Sequence, residues 1–228
     1  MQLDIFIEGE TIDLCIPTPE LAHHSDYYKW FNDPYITRYI HSGVFPNTRA
    51  KQERFFTEES QERLILAIAN KNGDIIGTTS LMRIDYKTRI ASFGIIMGNL
   101  NEKTQIRTLE SIARITEHGF LKIGLQRIYA EQHINHISYS HRMSLLGYRI
   151  EGIERSGFVK GAERADMMRI ACTYEDYQRI VEHRGEYWDS QESMLARIKT
   201  LQKQETMHKK LQSFFQESQQ YYENIFTL

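Results

Sequence analysis

Three consecutive apolar segments, with one strong turn between the first two, constrain this chain more than any other feature. "RLILAIAN" (63–70) is followed by "KNGD" and then by "IIGTTSLMRID" (75–85). Asn72-Gly73 is a hairpin signal, because both residues tolerate the left-handed backbone that tight hairpin turns need. "TRIASFGIIMG" (88–98) completes a three-strand meander. The period then changes. Residues 104–122 read as a helix: Thr104 precedes a run of helix formers and its hydroxyl can take an orphan backbone N–H, while Ile112, Ile115 and Phe120 approximate an apolar stripe. A strand "LQRIYAEQ" (125–132), a helix 138–147 closed by Gly147, and strands 148–159 and 165–173 follow. Ahead of the meander, 12–18 reads as a strand, 19–33 as a helix at whose end Asp33-Pro34 stops it or starts a short new helix, and 48–60 as a short helix. This order predicts an α/β (α+β) fold with a mixed sheet.

The 228 residues suit one ordinary domain plus an appendage, expected here as a domain over 1–180 and a C-terminal helical extension over 181–228. A net charge of −2 argues against a basic nucleic-acid binder. The N-terminus has no basic region before an apolar core, and no run approaches 18 apolar residues, so neither a signal peptide nor a membrane span is expected. Cys15 and Cys172 are far apart and form no CxxC, which suits a reducing, cytoplasmic setting. The histidines, including the loose group His133, His136 and His141, show no metal-ligand spacing, so no metal site is expected.

Beyond about residue 181 the chain lacks proline and is rich in Gln, Glu and Lys. Leu201, His208, Phe215 and Tyr222 recur every seven residues, with Ile198, Leu211 and Ile225 on a second seam. One long amphipathic helix or two shorter ones fit this pattern, either packed on the chain's own domain or serving as a homodimer contact.

Three segments carry a resemblance. "WFNDPYITRYI" (30–40), "IIGTTSLMRIDYKTRIASFGIIMG" (75–98) and "LLGYRIEGIER" (145–155) resemble motifs of the GNAT acyltransferases, in the branch of the ribosomal-protein N-terminal and amino-sugar acetyltransferases. The resemblance spans roughly residues 10–175. It implies a mixed, splayed central sheet flanked by helices, with acetyl-CoA or another acyl-CoA in the opening between two parted parallel strands, here those ending near Gly98 and at 125–132. The pantetheine arm would meet the backbone of Ile95, Ile96 and Met97. The pyrophosphate would meet the loop of Lys103, Thr104, Gln105, Ile106, Arg107 and Thr108, at a helix N-terminus suited to phosphate.

That loop departs from the family pattern Q/R-x-x-G-x-G/A: Ile106 and Thr108 stand at the glycine positions, so the loop reads as degraded, with Ile106 adding bulk near the phosphate path. Ser92 stands where the branch often has glutamate. Met143 falls where many members have a tyrosine acid, and Tyr139 is one turn earlier. Asn135 and Ser138 fit an N-x-x-S pattern, with His136 competing for the asparagine's place. The resemblance thus implies Asn135, Ser138 and Tyr139 as catalytic candidates: Ser138 or Tyr139 supplies a proton and a water near Asn135 or Asp33 accepts one.

It implies an acceptor site around Tyr28, Trp30, Asn32, Asp33 and Arg38. Packing of Tyr27, Tyr28, Trp30 and Phe31 in core and cleft wall competes there with a stacking platform, and an Arg38–Asp33 ion pair competes with a substrate clamp. Asp166 is structural or acceptor-facing. The leading expectation is an acyl-CoA-dependent N-acetyltransferase acting on a small amine such as an amino sugar. The alternatives are a GNAT-fold binding or assembly module that has lost acyl-CoA, and a protein N-terminal acetyltransferase.

Overall fold

The computed structural model describes residues 3–58 and 63–201. One eight-stranded sheet organises them: β1 (Ile5–Glu8), β2 (Ile12–Cys15), β3 (Leu64–Asn70), β4 (Ile75–Asp85), β5 (Ile90–Met97), β6 (Arg127–His133), β7 (Arg149–Lys160) and β8 (Glu163–Thr173), in the spatial order β1-β2-β3-β4-β5-β6-β8-β7. Every neighbouring pair is antiparallel except β5 and β6, which are parallel.

Alternation along β3 shows how the sheet is covered on two sides. Leu66 and Ile68 face one core cluster; Ala67 and Ala69 face another. The first cluster holds α5 (Gln105–His118) through Leu109, Ile112 and Ala113. The second lies under α1 (Pro19–His24), α2 (Tyr27–Trp30) and α4 (Arg49–Thr57), through Leu21, Tyr27, Trp30 and Phe56.

The meander forms as expected. Its first turn is a four-residue connection from Lys71 to Asp74, in which Gly73 alone has a left-handed backbone (φ +85°) and the Asn70 side chain accepts from the amides of Asn72 and Asp74. Thr104 caps α5 by accepting from the Arg107 amide at 3.2 Å. Gly147 (φ +80°) follows α6 (Ile137–Met143) and the short turn Ser144–Leu146.

Two expectations need correction. The segment 19–33 is not one helix: Ser25 turns extended, and both its amide and its hydroxyl donate to Leu21 O, ending α1 before α2 begins. The N-terminal edge strand β1 lies ahead of the first strand expected from sequence.

Past β8, helix α7 (Tyr174–Arg184) starts with a capping box between Thr173 and Asp176. Tyr187, Trp188 and, from α8 (Gln191–Leu201), Met194 and Ile198 then enter the first core cluster. The start of the expected extension therefore packs on the domain. The remainder of the seven-residue seam, with Leu211, Phe215 and Ile225, lies outside the described residues. Among the described residues no helix is long and apolar enough to cross a membrane.

Candidate active site

β5 and β6 are paired only from Ile90–Arg127 to Ser92–Tyr129. Beyond Ser92, β5 continues to Met97 with a partner on the β4 side alone, and β6 continues to His133 paired only with β8. The two parallel strands thus part at their C-terminal ends. Ser92 itself is buried and donates its hydroxyl to Met82 O across the ladder.

The head of α5 follows β5. By helix geometry its first amides, those of Gln105 and Ile106, have no intrahelical acceptor, and no side chain among the described residues accepts from them; the Arg107 amide is taken by Thr104. The loop's side chains are arranged differently from the sequence expectation. Ile106 is 8% exposed and packs in the first core cluster, on the inner face of α5 with Leu109 and Ala113, so its bulk is turned away from the loop. The Thr108 hydroxyl donates to Thr104 O. Arg107 forms an ion pair with Glu102 and also donates to Glu102 O. Lys103 and Gln105 are exposed. Two amides without an acceptor, a positive helix end and a lysine without an ion-pair partner among the described residues suit an anionic group, and the Glu102 charge beside them is offset by Arg107.

Next to the strand opening lies a cleft of about 500 Å3. Its floor is one face of the sheet: Arg63 and Ile65, then Thr78, Ser80 and Met82 on β4, then Gly94 and Ile96 on β5, each set spaced by two. Tyr27 and Phe31 form one wall, with the Tyr27 hydroxyl 3.2 Å from Thr78 Oγ1; burial pushes this phenol up to about 12. Ile40, His41, Ser42 and Gly43 form another wall, beyond α3 (Pro34–Thr37). Lys160 fixes that wall: its ammonium donates to Thr37 O (2.8 Å), Ile40 O (3.3 Å) and Ser42 O (2.7 Å). Lys51 and Phe55 of α4 close the third side, and Phe45 overhangs it while 78% exposed.

The residues expected around the acceptor occupy the edges of this cleft without lining it. Tyr28 carries Arg49 over its ring at 5.1 Å. Trp30 is buried against Gly98, where a β-carbon would lie 1.7 Å from its ring. Asn32 exchanges two hydrogen bonds with the Asn47 backbone, at 2.7 and 2.8 Å. Asp33 caps α3 through the amides of Tyr35 and Ile36 and does not pair with Arg38, which instead stacks over Tyr35 and Tyr39. Asp166 accepts from the Ser156 amide, at a left-handed residue of β7 (φ +53°), which is a structural use of its carboxylate.

The last group stands where β6 ends. His133 is buried, stacks on Tyr39 at 4.5 Å, meets Phe158 edge-on at 4.8 Å, and has Glu163 3.6 Å away. His136 meets Tyr39 edge-on at 4.6 Å. Burial, then the charges of Lys103, Arg38, His133 and Arg142, depress the His136 imidazole from 6.5 to about 4, so it is neutral at pH 7. Tyr139 on α6 has a buried hydroxyl without a hydrogen-bond partner among the described residues, and burial pushes it far up. Met143 is fully buried, with Gln132 Nε2 3.3 Å from its sulfur. Asn135 is exposed, and its amide donates to His133 Nδ1. The Ser138 side chain lies outside the described atoms. No group of three or more His, Cys, Asp or Glu among the described residues is arranged to hold a metal ion.

The comparisons with known proteins agree with this architecture. The acetyltransferase (GNAT) domain profile matches residues 13–149, more than half of the chain. The chain belongs to the GNAT acetyltransferase family. No curated protein is similar enough in sequence to count as a relative. Solved structures share the fold. The spermidine N-acetyltransferase from Vibrio cholerae, solved with CoA and spermine, superposes with a TM-score of 0.66 at 19% identity over 75% of this chain and 99% of that one. The microcin C7 self-immunity acetyltransferase MccE, solved with acetyl-CoA and AMP, gives 0.61 at 19% identity over 72% and 93%. A GCN5-related N-acetyltransferase from Brucella melitensis gives 0.59 at 19% identity over 80% and 84%.

The sequence reading did not single out Arg63, Lys51, the 40–43 wall or His133 as site residues. A signal for Arg63 existed: in a strand of period two it shares a face with Ile65 and Ala67, as Thr78 does with Ser80 and Met82. No sequence signal pointed to Lys160.

Proposed function

We propose that this GNAT family member is an acetyl-CoA-dependent N-acetyltransferase acting on a small amine held in the cleft beside the strand opening. The observation that carries this reading is the parting of β5 from β6 beyond Ser92, next to the two free amides at the head of α5. The edge of Ile95–Met97 that faces away from β4 then meets the pantetheine arm, and the amides of Gln105 and Ile106, with Lys103, meet the pyrophosphate. Bound acetyl-CoA supplies a thioester whose carbonyl is already activated. What remains for the chain is to orient an uncharged amine, hold the carbonyl oxygen with a backbone N–H, and move protons.

The amine nitrogen forms the new C–N bond as the C–S bond breaks. The amine gives up a proton through water near Asn135 and the neutral His136, and the thiolate takes one. Tyr139 is the donor we favour: burial keeps its hydroxyl protonated, and it has no acceptor of its own among the described residues. Ser138 is the second candidate on the same helix. The amino-sugar reading of the acceptor comes from sequence resemblance. The fold neighbours solved with spermine or AMP widen the field to other amine-bearing ligands.

A second reading, a GNAT-fold module without acyl-CoA, draws on the Glu102 carboxylate beside the loop, which engages the Arg107 guanidinium. One experiment separates the two. Thermal unfolding with acetyl-CoA at a hundred times its dissociation constant adds about 2.7 kcal/mol of stability if the site binds. An unchanged transition at millimolar acetyl-CoA selects the module.

A further inference from the structure

Among the described residues, the charges on the cleft walls are all of one sign: the lining includes Lys51 and Arg63 and no aspartate or glutamate. The Arg63 guanidinium sits 5.3 Å from the centre of the Phe55 ring and reaches Met82 Sδ at 3.7 Å, both cleft residues. Neither Arg63 nor Lys51 has a carboxylate within ion-pairing distance among the described residues. Arg107, Arg127 and Arg197 do, from Glu102, Glu151 and Asp189. Among the described carboxylates on the elements around the cleft, Glu53 holds His23, Glu58 lies 4.0 Å from Arg54, and Asp33 caps α3.

A cation stacked on an aromatic face at the edge of a concave site, without a counter-charge, is poised to receive one from a ligand. Resting on the reading of this cleft as the acceptor site, we propose that the acceptor is an amine carrying an anionic group, a phosphate or a carboxylate, and that Arg63 with Lys51 binds that group.

The geometry explains both what is admitted and what is refused. The planar guanidinium offers two parallel N–H donors to a carboxylate or phosphate, a match that fixes the ligand's orientation as well as its charge. The hydroxyls of Thr78 and Ser80 on the floor serve the neutral remainder of the ligand. A polyamine meets the opposite situation. Its surplus ammonium groups would lie against Lys51 and Arg63 with no lining carboxylate among the described residues to receive them, so like-charge repulsion selects against it. The acceptor chemistry therefore differs from that of the spermidine acetyltransferases whose fold this chain shares.

The test is calorimetric titration of the full-length protein, saturated with CoA, with four probes: glucosamine, glucosamine 6-phosphate, 2-amino-2-deoxyglucuronic acid and spermidine. At least one anionic amine is expected to bind about tenfold more tightly than glucosamine or better, with spermidine the weakest; the preferred anion tells phosphate from carboxylate. In Arg63→Gln the preference should fall below about threefold, and in Lys51→Gln by a smaller factor, while acetyl-CoA affinity and melting temperature stay at wild-type values. The proposal is overturned if glucosamine or spermidine binds as tightly as both anionic probes, if neither anionic probe binds, or if the preference survives both substitutions. It is also overturned if Arg63→Gln weakens acetyl-CoA and leaves probe preference intact, since the cations would then serve the co-substrate. Failure of acetyl-CoA itself to bind would instead remove the acetyltransferase reading, and the probe titrations would still be read on the protein alone.

Discussion

The indole of Trp30 lies against the α-carbon of Gly98, so closely that a β-carbon there would fall 1.7 Å from Trp30 Cδ2. This contact joins α2, at the cleft wall, to the end of β5, where the strand opening meets the loop before α5. The Gly98 amide is also fixed, donating to Ile76 O. Gly98 is thus required for close approach.

Gly98→Ala should consequently push Trp30 off the strand. Overpacking of this kind costs about 1–3 kcal/mol, a drop of several degrees in Tm for a chain of this size. Acetyl-CoA affinity should fall with it, because the strand end carrying the pantetheine contacts would move. The double variant Gly98→Ala/Trp30→Ala should lose less than the two single losses added, since the clash is removed. Thermal melts of the four proteins decide this, and strict additivity would contradict it.

Helix α5 is tied to the far edge of the sheet by one buried carboxylate. Glu110 is wholly buried and accepts from the amides of Glu10 and Thr11, from the Thr11 hydroxyl at 2.6 Å and from Arg114. Truncation as Glu110→Ala strands two amides, a hydroxyl and a guanidinium together. The expected loss is about 3–5 kcal/mol, read from the urea midpoint, with Glu110→Gln losing less because its amide oxygen still accepts. Equal losses in the two variants would mean that the single acceptor oxygen and the volume kept by glutamine contribute nothing, and that the site needs the full carboxylate.

Much of this fold was legible because the signals are local. Thr104 and Gly147 bound their helices through their own side chain or backbone freedom, and the Asn72-Gly73 turn needs only its neighbours. The break at Ser25 was not legible: helix formers stand on both sides, and the competing bonds to Leu21 O become visible only in three dimensions. The segment expected around the acceptor runs beside the cleft, but it meets the cleft with other residues than those expected. Tyr27 and Phe31 face the cleft, whereas Asn32 and Asp33 are spent on Asn47 and on the cap of α3, and no local pattern in 30–40 reveals a partner at residue 47.

Ile106 shows the same difficulty at the loop. Read as a residue in a glycine's place, it blocks phosphate, and Ile106→Gly should tighten acetyl-CoA. Its side chain instead packs inward with Leu109 and Ala113. The expected outcome is therefore destabilisation by about 3–5 kcal/mol from the cavity, plus about 1 kcal/mol for a glycine within the helix. Titration should show no gain in acetyl-CoA affinity; a tighter complex in a stable variant would restore the blocking view.

His136 makes stability depend on pH in a definite direction. Its folded-state pKa is depressed from 6.5 to about 4, so the folded protein holds the neutral imidazole while the unfolded chain takes up the proton more readily. The contribution is intact above pH 6.5, is lost progressively between 6.5 and about 4, and changes no further below that, where both states are protonated. Its full size is at most about 3 kcal/mol, less where solvent reaches the ring. The glutamine of His136→Gln does not titrate, so the variant's urea midpoint should fall less steeply than wild type across that window. Other acid-sensitive groups leave the comparison intact: Asp189, held down to about 2 by Arg197, loses its contribution at lower pH, and His133, also depressed by burial, is present in both proteins. Parallel pH profiles for wild type and variant would show that His136 is solvated in the folded state and would remove it from the set of neutral groups beside Tyr139.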